Sequence, residues 1–241
     1  MPEFNSDSIS EVWKDGVELA ASAINREASP LISTITHLAS GRPAEDSNLR
    51  ASLDRSLVAN GKASVETVAG TIFPQSLWDP SKSRQELFNR YRRIYPKIRQ
   101  HPKNRRGTYF QRLIDYPAPG PDAFDQLDQV ISTYVGGNHR RSALQASTIV
   151  PRLDLNNARQ LGFPCMHQVA FLPDSRRQTL RVIGFYPMQY LYERAYGNYL
   201  GLIRLGYFMA SEMNLELEAV SCVSVVAKAE APQRIIDAVL T

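Results

Sequence analysis

Cys165 stands directly after Pro164, and His167 follows it by two residues. A cysteine attacks only as its thiolate, and neighbouring cations lower the pH at which that thiolate forms. On an extended segment Cys165 and His167 project to one face, where the imidazole can relay a proton or pair with the sulfur. The plain alternative is a small buried hydrophobe, which is the reading for Cys222 inside the apolar run 220–226. Arg140 and Arg141 open a segment of strand character. Two planar guanidiniums there can grip a phosphate or carboxylate, or simply face solvent. Asn198 lies in Tyr196-Gly197-Asn198-Tyr199, within a long helical segment. Its carboxamide donates and accepts at once, as a ligand edge that pairs an acceptor with a donor requires; an amide packed between helices is the rival. Glu66 sits among Val65 and Val68 in a helix-like stretch and is a candidate general base, with Glu193 as a second. Most such glutamates are surface residues. The run 90–106 holds eight Lys and Arg with no acid, a patch for phosphate or nucleic acid or a solvated face. His37, His101 and His139 have no ligand spacing with one another or with the cysteines, so no metal is expected.

The elements that position these residues follow from periodicity. Residues 8–25 predict a helix capped by Ser8, with Glu11 three positions on and Val12, Val17, Leu19 and Ala20 on its apolar face. Weak periodicity over 29–62 predicts short helices, such as one over 47–59, and 67–76 stays unassigned. Residues 81–95 predict a helix with Leu87, Tyr91, Ile94 and Tyr95, ended by Pro96 and Pro102. A strand is expected at 108–116, a loop at 116–121 and a helix at 123–134 bearing Phe124, Leu127, Val130 and Ile131. Strands are expected at 141–149, 166–173 and 179–186. A long helix follows at 189–212, then a strand at 218–227, apolar enough for burial on both faces, and a helix at 231–240. Gly197, Gly201 and Gly206 in the long helix suit close packing.

The chain has 241 residues, enough for one or two domains with a sizeable core. Hydrophobic residues at 43% and charged residues at 22% exclude global disorder. No apolar run approaches the roughly 20 residues of a membrane span, and the first residues lack the apolar core of a secretory signal. Two cysteines make no disulfide framework, so the cytoplasm is the expected setting. Lys and Arg number 28 against 24 Asp and Glu, a net +4 that permits a phosphate-bearing partner.

Several of these segments, taken in order, resemble one family. Phe124-Asp125-Gln126-Leu127-Asp128-Gln129-Val130-Ile131 leads to His139-Arg140-Arg141-Ser142-Ala143-Leu144, and then to Phe163-Pro164-Cys165-Met166-His167-Gln168. This set resembles the thymidylate synthase superfamily, which includes the pyrimidine hydroxymethylases. There an Asp-Gln helix leads to a double arginine, and a strand and loop lead to the Pro-Cys nucleophile. The stretch 180–216 looks like the family's strand and long helix, with Asn198 where the family keeps its base-reading asparagine. Asn104-Arg105-Arg106-Gly107-Thr108 resembles the family's Asp-Arg-Thr-Gly-Thr turn, and Arg105 matches its phosphate-binding arginine. The resemblance covers residues 80–230. It departs at Pro187-Met188-Gln189-Tyr190, where the family has Arg-Ser-x-Asp, and at Ala227-Lys228-Ala229, where it has His-x-Tyr. The insertion carrying the family's catalytic glutamate and folate contacts is replaced by about a dozen residues.

The resemblance implies a mixed α/β (α+β) fold, with a helical N-terminal extension over 1–78 and a thymidylate synthase-like domain over 79–241. It implies one-carbon transfer, as methyl or hydroxymethyl, to C5 of a pyrimidine nucleotide or related pyrimidine. Cys165, His167 and Glu66 are the expected catalytic residues, and Asn198, Arg105, Arg140 and Arg141 the expected substrate contacts. Arg140 and Arg141 are those that reach the neighbouring subunit's site in the family, so a homodimer is expected. The implied cofactor is a reduced folate, 5,10-methylenetetrahydrofolate, bound weakly or differently because the insertion is missing. The alternative is a non-catalytic dimer that keeps the fold as a binding or interaction module; a nucleic-acid binder using 90–106 is a third reading.

Overall fold

Local signals start most elements. In the computed structural model, which describes residues 1–118, 120, 123–155 and 164–241, the side chain of Ser8 accepts from the Glu11 backbone N–H and caps the first long helix. In chain order the elements are β1 (Glu3–Ser6), α1 (Ile9–Ser22), β2 (Glu27–Ala28), β3 (Leu31–Thr36), α2 (Ser47–Ala59), α3 (Val65–Ile72) and α4 (Arg84–Ile98). Then come α5 (Tyr109–Ile114), α6 (Gln126–Val135), β4 (Gln145–Ser147), α7 (Pro151–Asp154), β5 (Gln168–Asp174), β6 (Thr179–Tyr190), α8 (Tyr196–Glu212), β7 (Glu216–Lys228) and α9 (Gln233–Leu240). Asp46, Ser64 and Asp125 cap α2, α3 and α6 through their side-chain oxygens.

The strands form one mixed sheet in the order β1-β3-β7-β6-β5-β4, with β2 also paired to β7. β1–β3 and β6–β7 are parallel and the other pairs antiparallel. The parallel β6–β7 pair needs a crossover, and α8 supplies it. β6 and β7 are long and lie centrally. β7 pairs with β3, so residues 1–78 supply part of the central sheet. This corrects the expected helical extension: the first 78 residues hold strands as well as helices and share the sheet of the rest.

Helices α1 and α8 cover one face of the sheet. Trp13 of α1 donates its indole N–H to the Leu191 carbonyl, and Tyr199 of α8 donates to the Ser33 hydroxyl of β3. No described helix lies on the other face, where Leu172 (45% exposed), Phe185 (37%) and Val225 (45%) reach solvent beside Ile32, Ile183 and Val223. β7 was expected to be covered on both sides; its burial alternates instead, because helices lie on one side only. No described helix is long and apolar enough to cross a membrane.

Other expectations shift for physical reasons. Within 108–116, Tyr109–Ile114 form α5 rather than a strand: Thr108 accepts from the Gln111 N–H and starts a short helix that is wholly buried. The strand expected at 141–149 shortens to β4 behind a 3-10 turn at Arg141–Ala143. Pro96 lies inside α4 rather than ending it. Residues 189 and 190 complete β6, and a π-turn at Leu191–Ala195 separates it from α8. Part of the 116–121 loop, and Phe163 before the Pro-Cys pair, lie outside the described residues.

Two glycines of α8 let α3 approach closely. A Cβ on Gly197 would lie 2.5 Å from Val68 Cβ, and one on Gly201 would lie 2.9 Å from the Ala69 carbonyl. Both contacts are with atoms that cannot swing aside. Gly197→Ala is therefore expected to destabilise the protein by about 1–3 kcal/mol, the usual cost of overpacking. Chemical denaturation checks this; an unchanged midpoint refutes the close-packing account.

Candidate active site

A narrow cleft forms where α3, the loop before α5, the segment before β5, the π-turn and α8 converge. It is lined by Val68 and Thr71, by Lys103, Asn104, Gly107, Thr108 and Tyr109, and by Cys165, Arg194 and Asn198. Its volume is about 60 Å³, small beside the roughly 300–1,000 Å³ usual for ligand pockets. It accepts the edge of a ring, not a whole nucleotide. Gly107 takes φ +120°, which an L side chain rarely adopts, and this turns the chain into the Thr108 cap of α5.

Cys165 and Asn198, read from the sequence, both line this cleft. Asn198 is only 2% exposed, yet its carboxamide makes no hydrogen bond with any described residue. Its amide atoms open to the cleft rather than being sealed in the core, so a polar group entering the cleft can pair with them. Cys165 is half-buried, and Tyr109 fixes it. The Tyr109 hydroxyl oxygen accepts from the backbone N–H groups of Cys165 (2.9 Å) and Met166 (3.3 Å). The hydroxyl also hydrogen-bonds the Cys165 side chain, and a donor there favours the thiolate. Burial, together with the charge of Cys165, raises the Tyr109 pKa far above a free phenol's, so the hydroxyl stays protonated and able to donate.

Burial raises the Cys165 pKa, and the Glu193 charge adds to that; Arg194 and the Tyr109 hydrogen bond pull it down but do not win. The resting side chain is therefore a thiol at neutral pH. Cys222 is fully buried in β7, and burial raises its pKa far more.

The other expected residues lie elsewhere. His167 does not line the cleft; its N–H donates to the Phe185 carbonyl at 2.9 Å and its carbonyl accepts from Thr148, so its backbone is spent in the sheet. Burial lowers its pKa against the opposing charge of Asp154, leaving the ring neutral at pH 7. Glu66 also does not line the cleft. Arg204 holds it in a two-pronged ion pair at 2.6 and 2.9 Å, which lowers its pKa and removes it as a base. Glu193 is held ionised by Lys62 at 2.9 Å and Arg194 at 3.1 Å, although burial opposes this. Arg105, Arg140 and Arg141 are exposed and outside the cleft. Arg141 borders a hollow of about 900 Å³ on the open sheet face, with Leu172, Arg181 and Ile183. Within 90–106, Arg90 is paired to Glu86, and Arg92 to Asp115 and Asp125.

The sequence singles out neither Tyr109 nor Arg194, and Lys103 only as one of the eight cations of the 90–106 run. Tyr109 fell in a segment taken for a strand, and Arg194 lies in a π-turn that ordinary helical periodicity does not reveal. Such turns are frequent at functional sites.

Tyr109→Phe removes a hydrogen bond to the thiolate worth about 1.5–3 kcal/mol, or roughly one to two pKa units. Alkylation of Cys165 by iodoacetamide across pH is expected to show its inflection moved upward by that amount, with Cys222 unlabelled until denaturation. An unmoved inflection refutes the assignment. Comparison with known proteins supplies no relative: no family model and no curated protein matches the chain.

Proposed function

We propose that the cleft binds the edge of a pyrimidine base and that Cys165 adds to it, in a thymidylate synthase-like one-carbon transfer to C5 of a pyrimidine nucleotide or related pyrimidine. The observation that carries this reading is the unpartnered, buried Asn198 carboxamide sharing a cleft with Cys165. In this chemistry the Cys165 thiol gives its proton to water, the sulfur forms a bond to C6, and the C5=C6 electron pair moves toward C5 and O4 as an enolate. Asn198 donates to O4 and accepts from N3–H, which stabilises that charge. C5 then takes an electrophile and loses its proton, and breaking the S–C6 bond restores the double bond.

A reduced folate would supply the one-carbon unit. The described cleft does not accommodate a pteridine beside a pyrimidine, so the residues named here do not hold that donor. The reading therefore turns on the addition step, which by itself makes the C5 hydrogen exchangeable. Release of tritium from 5-tritiated uridine 5′-monophosphate is expected with the native protein. It is expected to be lost in Cys165→Ser and to fall at least tenfold in Asn198→Ala.

A second reading is favoured by one observation: among the described residues, no carboxylate lines the cleft to act as a base. A non-catalytic module that keeps the fold would bind a pyrimidine without exchange. Protection of Cys165 from alkylation without tritium release selects it.

The same proposal includes a homodimer through the open sheet face. Contiguous apolar residues in solvent mark an association surface, and Ile183, Phe185, Val223 and Val225 provide one. Arg141 at its border suits a side chain that serves the partner subunit's site. Sedimentation equilibrium at micromolar concentration is expected to give a dimer, and Phe185→Arg a folded monomer. A native monomer refutes this arrangement.

A further inference from the structure

Two cations, Lys103 and Arg194, line the cleft, and no carboxylate does so among the described residues. Lys103 lines the cleft and is exposed, and its ammonium makes no hydrogen bond or close ion pair with any described residue, although its charge reaches Glu193. Arg194 lines it too. Of the five N–H donors of its guanidinium, the one bond made among the described residues is from Nη2 to the Glu193 carboxylate at 3.1 Å. Glu193 is shared with Lys62 at 2.9 Å, so it does not neutralise Arg194 alone. The nearby Glu230 accepts the backbone N–H groups of Tyr192 and Glu193, which fixes the π-turn and aims Arg194. Lys62, Lys103 and Arg194 thus act on Glu193, and neither Glu193 nor Glu230 lines the cleft. Arg194 precedes Asn198 by four residues, about one helical turn, so cation and amide serve one ligand.

We propose that the ligand bound at Cys165 and Asn198 carries an anionic group, a phosphate or a carboxylate, which Arg194 and Lys103 receive. The pairing supplies from the π-turn and the loop before α5 the positive charge absent at Pro187. It also replaces Arg105, Arg140 and Arg141 as the cations of the subunit's own cleft. Arg194 offers a planar fork to two oxygens, and Lys103 adds a mobile point charge at the mouth. The ring identity rests on the pyrimidine reading above; the anion preference does not.

Protection of Cys165 from iodoacetamide tests both separately, using uridine, uridine 5′-monophosphate, orotate and inorganic phosphate on the full chain. Either charged pyrimidine is expected to protect at concentrations at least tenfold lower than uridine. The better of the two tells phosphate from ring carboxylate. Arg194→Gln is expected to reduce that preference about tenfold and Lys103→Gln severalfold. The Lys103 ammonium is exposed and makes no hydrogen bond or close ion pair with a described residue, so its variant keeps the test decisive if Arg194→Gln does not fold. Equal protection by uridine and the charged pyrimidines overturns the proposal, as does a preference unchanged in both variants. Protection by inorganic phosphate that Arg194→Gln abolishes and Asn198→Ala leaves intact, with no protection by any pyrimidine, sustains the anion site and sinks the pyrimidine reading. No protection by any of the four overturns both.

Discussion

The buried pair of Arg112 and Asp154 holds the site together. Both side chains are 3% exposed. Arg112 gives one terminal nitrogen to Asp154 and to the Thr148 carbonyl, and the other to Asp154 and the Arg106 carbonyl. Asp154 also accepts the Val150 N–H at 2.7 Å. One cation thereby joins α5, the loop before it, the end of β4 and α7. Such a pair adds little net stability over a well-packed apolar core, but removing one partner costs about 3–5 kcal/mol because a charge stays buried alone. Its consequence is positional. Arg112 lies one turn beyond Tyr109 on α5, so fixing the guanidinium fixes the phenol that holds the Cys165 backbone. Thr148 extends the same frame, accepting the charge-assisted bond at its carbonyl and giving its hydroxyl to the Met166 carbonyl beside the cysteine.

A second constraint closes the cleft from the opposite side. Gly197 and Gly201 bring α8 against α3, which places Val68 and Thr71 over the Asn198 amide. The close approach excludes water from the cysteine, and that exclusion raises its pKa. The geometry that buries the amide for recognition therefore works against the thiolate, and Arg194 only partly offsets it.

The sequence displays these features unevenly. Strong local signals were legible: α2 runs over the same 47–59 expected from its pattern, and the ends of α1 and α9 differ by a few residues. Cys165 and Asn198 were legible because their neighbours in the chain define them. The strand expected at 108–116 arose from its aromatic and branched residues. Yet Thr108 and Gln111 have the spacing of a capping box, and that signal predicts the helix that forms. The sheet role of the N-terminal residues was missed because β3 is short and its pairing with β7 spans nearly the whole chain. Glu66 looked like a buried base because Val65 and Val68 flank it. On a helix those neighbours point elsewhere, and the partner that claims Glu66 lies 138 residues away at Arg204.

The charges in the cleft constrain any order of events. In the proposed reaction, a thiolate at Cys165 and an anion at Arg194 would compete for one guanidinium, since each neutralises what the other needs. Unit charges near 4 Å interact by about 4 kcal/mol at a partly buried site, so the two do not coexist cheaply. Addition of the sulfur to carbon resolves the conflict. The thioether is neutral, and the negative charge moves to the oxygen of the ring, where the Asn198 amide receives it. Arg194 is then free to hold the anionic group at full strength. A cysteine kept as a thiol at rest fits the proposed order better than a preformed thiolate would: the cation stays available to the proposed anion, and the sulfur would carry charge only during the step that spends it.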